Sequence, residues 1–101
     1  MKDEMSDKEI NDLSEQVELI ISQLTEVLNE EKYLAYETLL KSYLKVQDIL
    51  RLNHSIEQIQ KEIKWNCRKL MEAPPRNKII GLKLIEAMDK FHKEVNSNKW
   101  K

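Results

Sequence analysis

At 101 residues, with 41% hydrophobic and 35% charged positions, the chain has material for one core under a heavily charged surface and no room for a second domain. One Gly and two Pro exclude a fold built on hairpins and long loops, which need residues tolerant of positive φ. No apolar run approaches the ~20 residues that span a bilayer; Leu19, Ile20 and Ile21 form one of the longer runs.

Ser6 followed by Glu9 makes a capping box, and apolar residues recur at Ile10, Leu13, Val17, Ile20, Leu24 and Val27 in alternating steps of three and four. That spacing predicts a first helix over about 6–29. Ile21 and Leu28 widen the stripe, as packing against more than one neighbour requires, so a bundle is favoured over a dimeric coiled coil. Tyr36, Leu39, Leu40, Tyr43, Val46 and Leu50, with Leu44 nearby, repeat the period and predict a second helix over about 32–52. Only the polar run Asn29, Glu30, Glu31, Lys32 suggests a turn between them, and one long bent helix is the alternative. Asn53, His54 and Ser55 break the chain more clearly, and Ser55 with Gln58 caps a third helix over about 55–73, with Ile56, Ile59, Ile63, Cys67 and Leu70 as its stripe. Pro74 and Pro75 stop it, since neither ring can donate to the helical ladder. Asn77 caps a fourth helix over about 77–95, with Ile80, Leu84, Ala87, Met88, Phe91 and Val95 facing inward, and residues 96–101 are expected to fray. Gly81 inside that helix costs about 1 kcal/mol relative to Ala and is expected to mark a close helix crossing. The expected fold is all-α, a single antiparallel up-and-down four-helix bundle occupying residues 1–101.

The formal net charge of −1 conceals a division along the chain. Residues 1–31 carry ten acids against Lys2 and Lys8, whereas residues 32–101 carry fifteen Lys and Arg against eight acids. Such a chain either lays an acidic helix over a basic surface or presents two faces to oppositely charged partners. The densest basic constellation is Lys61, Lys64, Arg68 and Lys69, then Arg76 and Lys78 beside the Pro-Pro turn, then Lys83, interrupted by Glu62 and Glu72. Lys61, Lys64 and Arg68 share a helix face, and Trp65 adds a flat ring to it. The functional reading is a docking surface for phosphates or an acidic protein; the bland reading is a solvated face. Nucleic acid would be held by phosphate neutralisation and stacking on Trp65, but the isoelectric point of about 6.1 and the Pro-Pro joint, unlike a helix-turn-helix turn, argue against a dedicated nucleic-acid domain.

No residue pattern names a reaction. The single cysteine, Cys67, cannot form an internal disulfide and sits on the apolar stripe as a small core residue, with Arg68 pointing about 100° away around the helix. With no secretory-type leader pattern, this predicts a cytoplasmic protein. Capping and surface roles suffice for His54 and His92, and no metal-ligand spacing such as H-E-x-x-H or C-x-x-C occurs, so no metal or cofactor is expected. Acids such as Glu15 and Glu18 look outward and lack the burial that makes a general acid. Small chorismate mutases share this length and helical class, but their family needs an early arginine and the first helix has none. The chain is therefore expected not to be an enzyme.

Trp100, flanked by Lys99 and Lys101, either anchors a contact or folds back as a plug. In layout, the four stripes beginning at Ile10, Tyr36, Ile56 and Ile80, the basic region from Lys61 to Lys83 and the tail ending Lys99, Trp100, Lys101 resemble the bacterial immunity proteins directed against pediocin-like bacteriocins. That resemblance implies specificity in the C-terminal half, pointing to Arg76, Lys78 and Trp100, and action from the cytosol on a complex of bacteriocin and membrane sugar transporter. The Pro74-Pro75-Arg76-Asn77 turn matches no signature of that family. The expected function is a non-catalytic helical binding protein acting through Lys61, Lys64, Trp65, Arg68, Arg76, Lys78, Lys83 and Trp100. The alternative is a bacterial or phage regulator whose basic face binds nucleic acid or an acidic protein, and a homo-oligomer formed by acidic and basic halves is a third reading.

Overall fold

Five helical segments follow one another in the computed structural model, which describes residues 5–97 and 100. They are α1 (Asp7–Glu30), α2 (Leu34–Leu52), α3 (Ile56–Ile63), α4 (Asn66–Glu72) and α5 (Lys78–Val95). The protein is all-α, and α1 packs mainly on α2 and α5, while α3 and α4 pack on α2 and α5.

Each start has a sequence cause. Ser6 accepts the Glu9 amide at 3.2 Å while Glu9 Oε1 accepts the Ser6 amide at 2.8 Å, the reciprocal capping box. Ser55 Oγ accepts the Gln58 amide, and Asn77 Oδ1 accepts those of Ile79 and Ile80, so α3 and α5 begin where their caps stand. At the start of α2 no side chain caps the helix, and Tyr33 is extended there.

The joint between α1 and α2 is real, and what fixes it lies far away in sequence. Glu31 leaves the helical path with φ −134° and ψ 105°, and its carboxylate accepts the Arg76 amide at 2.7 Å. The Arg76 guanidinium donates to the Tyr33 hydroxyl at 3.2 Å, and the Tyr36 hydroxyl donates to the Ala73 carbonyl. Two turns of the chain thus hold each other at one end of the molecule. At the opposite end Gln60 Nε2 donates to the Val95 carbonyl at 2.9 Å.

The core is a single apolar cluster fed by every stripe: Val17, Ile20 and Leu24 from α1, Tyr36, Leu39, Tyr43, Val46 and Leu50 from α2, Ile59 and Ile63 from α3, Leu70 from α4, Leu84, Met88, Phe91 and Val95 from α5. Burying each such side chain is worth about 1.5–3 kcal/mol in transfer free energy. Ile49 joins the core, whereas Leu44 stays exposed.

Three expectations are corrected. The third helix is not continuous over 55–73, because a turn at Lys64 and Trp65 divides it into α3 and α4. The tail does not fray at Trp100, which is 3% exposed and donates Nε1–H to the Glu94 carbonyl at 2.9 Å; the rest of the expected loose segment, Asn98, Lys99 and Lys101, lies outside the described residues. Gly81 does not serve a helix crossing. The atoms nearest a Cβ placed there belong to the Pro75 ring, at 3.6 Å, so the glycine faces the Pro-Pro turn.

Candidate docking site at the break between α3 and α4

The break contains neither Gly nor Pro, so its cause lies in side chains. Trp65 sits at φ −107°, ψ 4°, in the sparsely populated bridge region. The next residue, Asn66, is 1% exposed, and its amide donates to Ser42 Oγ at 2.9 Å. Ser42 in turn donates to Glu62 Oε2 at 2.8 Å, and Lys45 Nζ lies 3.3 Å from the other carboxylate oxygen. A buried amide without partners costs roughly 1–3 kcal/mol, enough to hold the backbone off the regular ladder at the point where Asn66 must reach α2.

That turn presents Trp65, 54% exposed, at the surface. The Lys64 ammonium lies 5.2 Å from the ring centroid and the Arg68 guanidinium 5.9 Å from it, both within cation–π range. Arg68 also reaches Glu72 at 3.3 Å and Lys61 reaches Glu57 at 3.3 Å, ordinary pairs one turn apart along exposed faces. Two cations around an exposed indole form a surface suited to anionic or π-rich groups, since the ring and stems supply apolar area and the heads supply charge.

Of the residues expected to act together, Lys64, Trp65 and Arg68 converge. Lys61 lies one turn before them, held by Glu57. Arg76 is exposed but committed to Glu31 and Tyr33, so its first role is to tie the two turns together. Lys78 and Lys83 are exposed on α5 and point about 140° away from each other around that helix. Trp100 is removed from the accessible surface by burial. The acidic helix α1 does not cover the basic turn: it packs on α2 and α5, and Asp12, Glu15 and Gln16 instead line a groove with Lys90 and Glu94 of α5.

Sequence reasoning missed an interior polar cluster. Tyr43 Oη lies 2.8 Å from His92 Nε2, and Cys67 Sγ 3.5 Å from His92 Nδ1. His92 is thus half-buried between helices, not on the surface. Burial lowers its pKa, partly offset by the nearby Asp89 carboxylate. Burial raises the Cys67 thiol pKa, and Asp89 raises it further; burial likewise pushes the Tyr43 hydroxyl up, against a hydrogen bond from Asn66. Burial thus favours the uncharged forms of thiol, imidazole and phenol, against a thiolate at the Cys67–His92 contact. The signal available in sequence was positional: Ser42 and Asn66 fall on the inward rows of their helices, where a polar residue needs a partner. Among the described residues no three His, Cys, Asp or Glu side chains converge to hold a metal ion, and no described helix is long and apolar enough to cross a membrane.

No family model, curated protein or solved structure matches this chain.

Proposed function

We propose that this chain is a non-catalytic helical binding protein, an antiparallel up-and-down four-helix bundle that docks an acidic protein partner on Lys64, Trp65 and Arg68. The pairings Glu31 to Arg76, Tyr36 to Ala73 and Gln60 to Val95 support the bundle topology, because the first two join the end of one helix to the start of another and the third ties the middle of α3 to the end of α5. The observation that carries the binding reading is the exposed Trp65 ring flanked by two cations, on a turn that a buried Asn66–Ser42–Glu62 relay keeps in place. Aromatic residues and Arg are the groups that dominate protein interfaces when they are rigidly presented. Burial that disfavours charge on Cys67, His92 and Tyr43 supports a structural interior over a nucleophilic one.

In its most concrete form the function is immunity of the kind directed against pediocin-like bacteriocins, exerted in the cytoplasm on a transporter complex. The test is expression in a strain sensitive to such a bacteriocin, beside capture of nuclease-treated membrane extract on the purified protein. Protection by wild type, lost in a Trp65→Ala, Arg68→Glu variant along with a retained transporter, is the expected result. Absence of protection against a panel of these bacteriocins would sink the immunity form. Capture that disappears with nuclease and falls steeply with salt would replace the acidic protein with nucleic acid, and capture indifferent to the variant would move the site elsewhere.

A further inference from the structure

Helix α4 is seven residues long, too short to cover the flank of α5 that turns toward it. Leu82 is left 60% exposed and Met71 68% exposed. A hollow of about 220 Å³ lies between the Pro-Pro turn and α5, lined by Pro75, Lys78, Gly81, Leu82 and Ile85. Across Ile85 it adjoins a second hollow of about 240 Å³, lined by Cys67, Leu70, Met71, Met88 and Asp89. The shared flank is a row of α5: Lys78, Leu82, Ile85 and Asp89 are spaced four, three and four apart and stand one above the other on the helix. At ~1.5 Å per residue that row is roughly 16 Å long.

Read in one direction the row is cation, apolar, apolar, anion; read in the other it is the same row with the charges exchanged. An antiparallel copy of α5 laid along it sets Lys78 of one chain against Asp89 of the other at both ends and Leu82 against Ile85 twice in the middle. Neither charge is already spent in the interior. Among the described residues Lys78 has no carboxylate within 4.0 Å, and Asp89 touches Lys93 Nζ at 2.9 Å with both side chains exposed, an exchangeable surface pair. A surface complementary to itself under a two-fold rotation closes after two copies. We infer that the α4–α5 flank is a self-association surface whose occupant is a second copy of this chain, docked antiparallel through Lys78, Leu82, Ile85 and Asp89 about a two-fold axis between Leu82 and Ile85. This goes beyond the docking reading, since Lys64, Trp65 and Arg68 are not on the row.

Sedimentation equilibrium across a concentration series at low salt tests it. Wild type should form a saturable dimer, and Leu82→Glu, a change at an exposed position that leaves the core intact, should abolish it. K78E and D89K each oppose like charges twice in their own homodimers and should weaken association by roughly tenfold. A 1:1 mixture of K78E with D89K opposes unlike charges at both ends and should associate as wild type does. Trp65→Ala should leave the dimer unchanged. A carboxylate at position 78 also suits the helix N-terminus, so K78E should fold, and circular dichroism on each variant is the control that checks it. A monomeric wild type at millimolar concentration, an L82E protein that still dimerises, or a mixture no tighter than its parents overturns the proposal. Retention of a heterologous amphipathic peptide by monomeric wild type, lost in L82E, would assign the groove to another protein instead.

Discussion

Helix α1 and the α3–α4 segment occupy comparable places, each packed between α2 and α5, and each repeats apolar residues in steps of three and four. Yet α1 runs unbroken for 24 residues while its counterpart is divided into pieces of eight and seven. The difference lies in what each sends inward. The buried row of α1 is wholly apolar, Leu13, Val17, Ile20, Leu24 and Val27, and the polar groups at its margin, Gln16 and Gln23, have buried side-chain oxygens without partners. In α3–α4 the row includes Asn66, which is satisfied by Ser42. One helix keeps its ladder and leaves side-chain acceptors unpaired; the other satisfies its side chain and gives up part of its ladder. The charges divide the same way, with α1 acidic on its outer face and the broken segment basic at its turn.

The largest effect should come from removing the satisfied group. Asn66→Ala takes away the donor that Ser42 accepts and should lower stability by about 1–3 kcal/mol, read as a fall in the urea midpoint. The equivalent truncation on the other side, Gln23→Ala, removes an oxygen with no partner and should be neutral or stabilising. A cycle with Ser42→Ala should show non-additivity of at least ~0.5 kcal/mol, as residues in one hydrogen-bonded chain do. Additive losses at Ser42 and Asn66 would mean that the relay does not act as a unit.

This contrast also explains how far the sequence could be read. Caps at Ser6, Ser55 and Asn77 and the stop at Pro74 are local signals: α1, α3 and α5 begin, and α4 ends, beside them. The turn at Glu31 depends on an amide 45 residues away, so no local signal could raise it above the rival of one bent helix. The break at Trp65 was invisible for the same reason: periodicity reports which residues face inward, not whether a polar one among them will bend the chain to reach its partner. Of the candidate site, Lys64, Trp65 and Arg68 were legible from spacing. The burial of Trp100 and the engagement of Arg76 were not, because both depend on contacts between ends of the molecule.

Acidification should act next, through His92 of α5. His92 meets the Tyr43 hydroxyl from α2, the Cys67 thiol from α4 and the Asp89 carboxylate from its own helix, and burial lowers its pKa against the weaker pull of Asp89. Above about pH 6.5 the imidazole is neutral in both folded and unfolded chains, so its contribution is fully present. As pH falls below that value the unfolded chain binds the proton first, and stability declines until the lowered folded pKa has been passed. Melting temperature should therefore drop between pH 7 and 5 more steeply in wild type than in His92→Gln. Parallel pH profiles for the two proteins would remove His92 from the cause.

The smallest expected effect is a gain. Gly81 lies inside α5 with φ negative, so the helix draws nothing from its special freedom and bears its unfolded-state entropy. A methyl group there would meet the Pro75 ring at 3.6 Å, ordinary van der Waals contact. Nothing has to move, and the new carbon fills part of the hollow beside the Pro-Pro turn. Gly81→Ala should raise stability by about 0.5–1 kcal/mol, a rise of several degrees in melting temperature for a domain of this size. The same substitution at a close helix crossing would be destabilising, so the sign of the change decides between a glycine held by packing and one the fold merely tolerates. It bears on self-association too, because Gly81 lies next to Leu82 at the edge of the proposed two-fold contact. A variant more stable as a monomer yet weaker as a dimer would show that the second copy, not the Pro75 ring, needs the space.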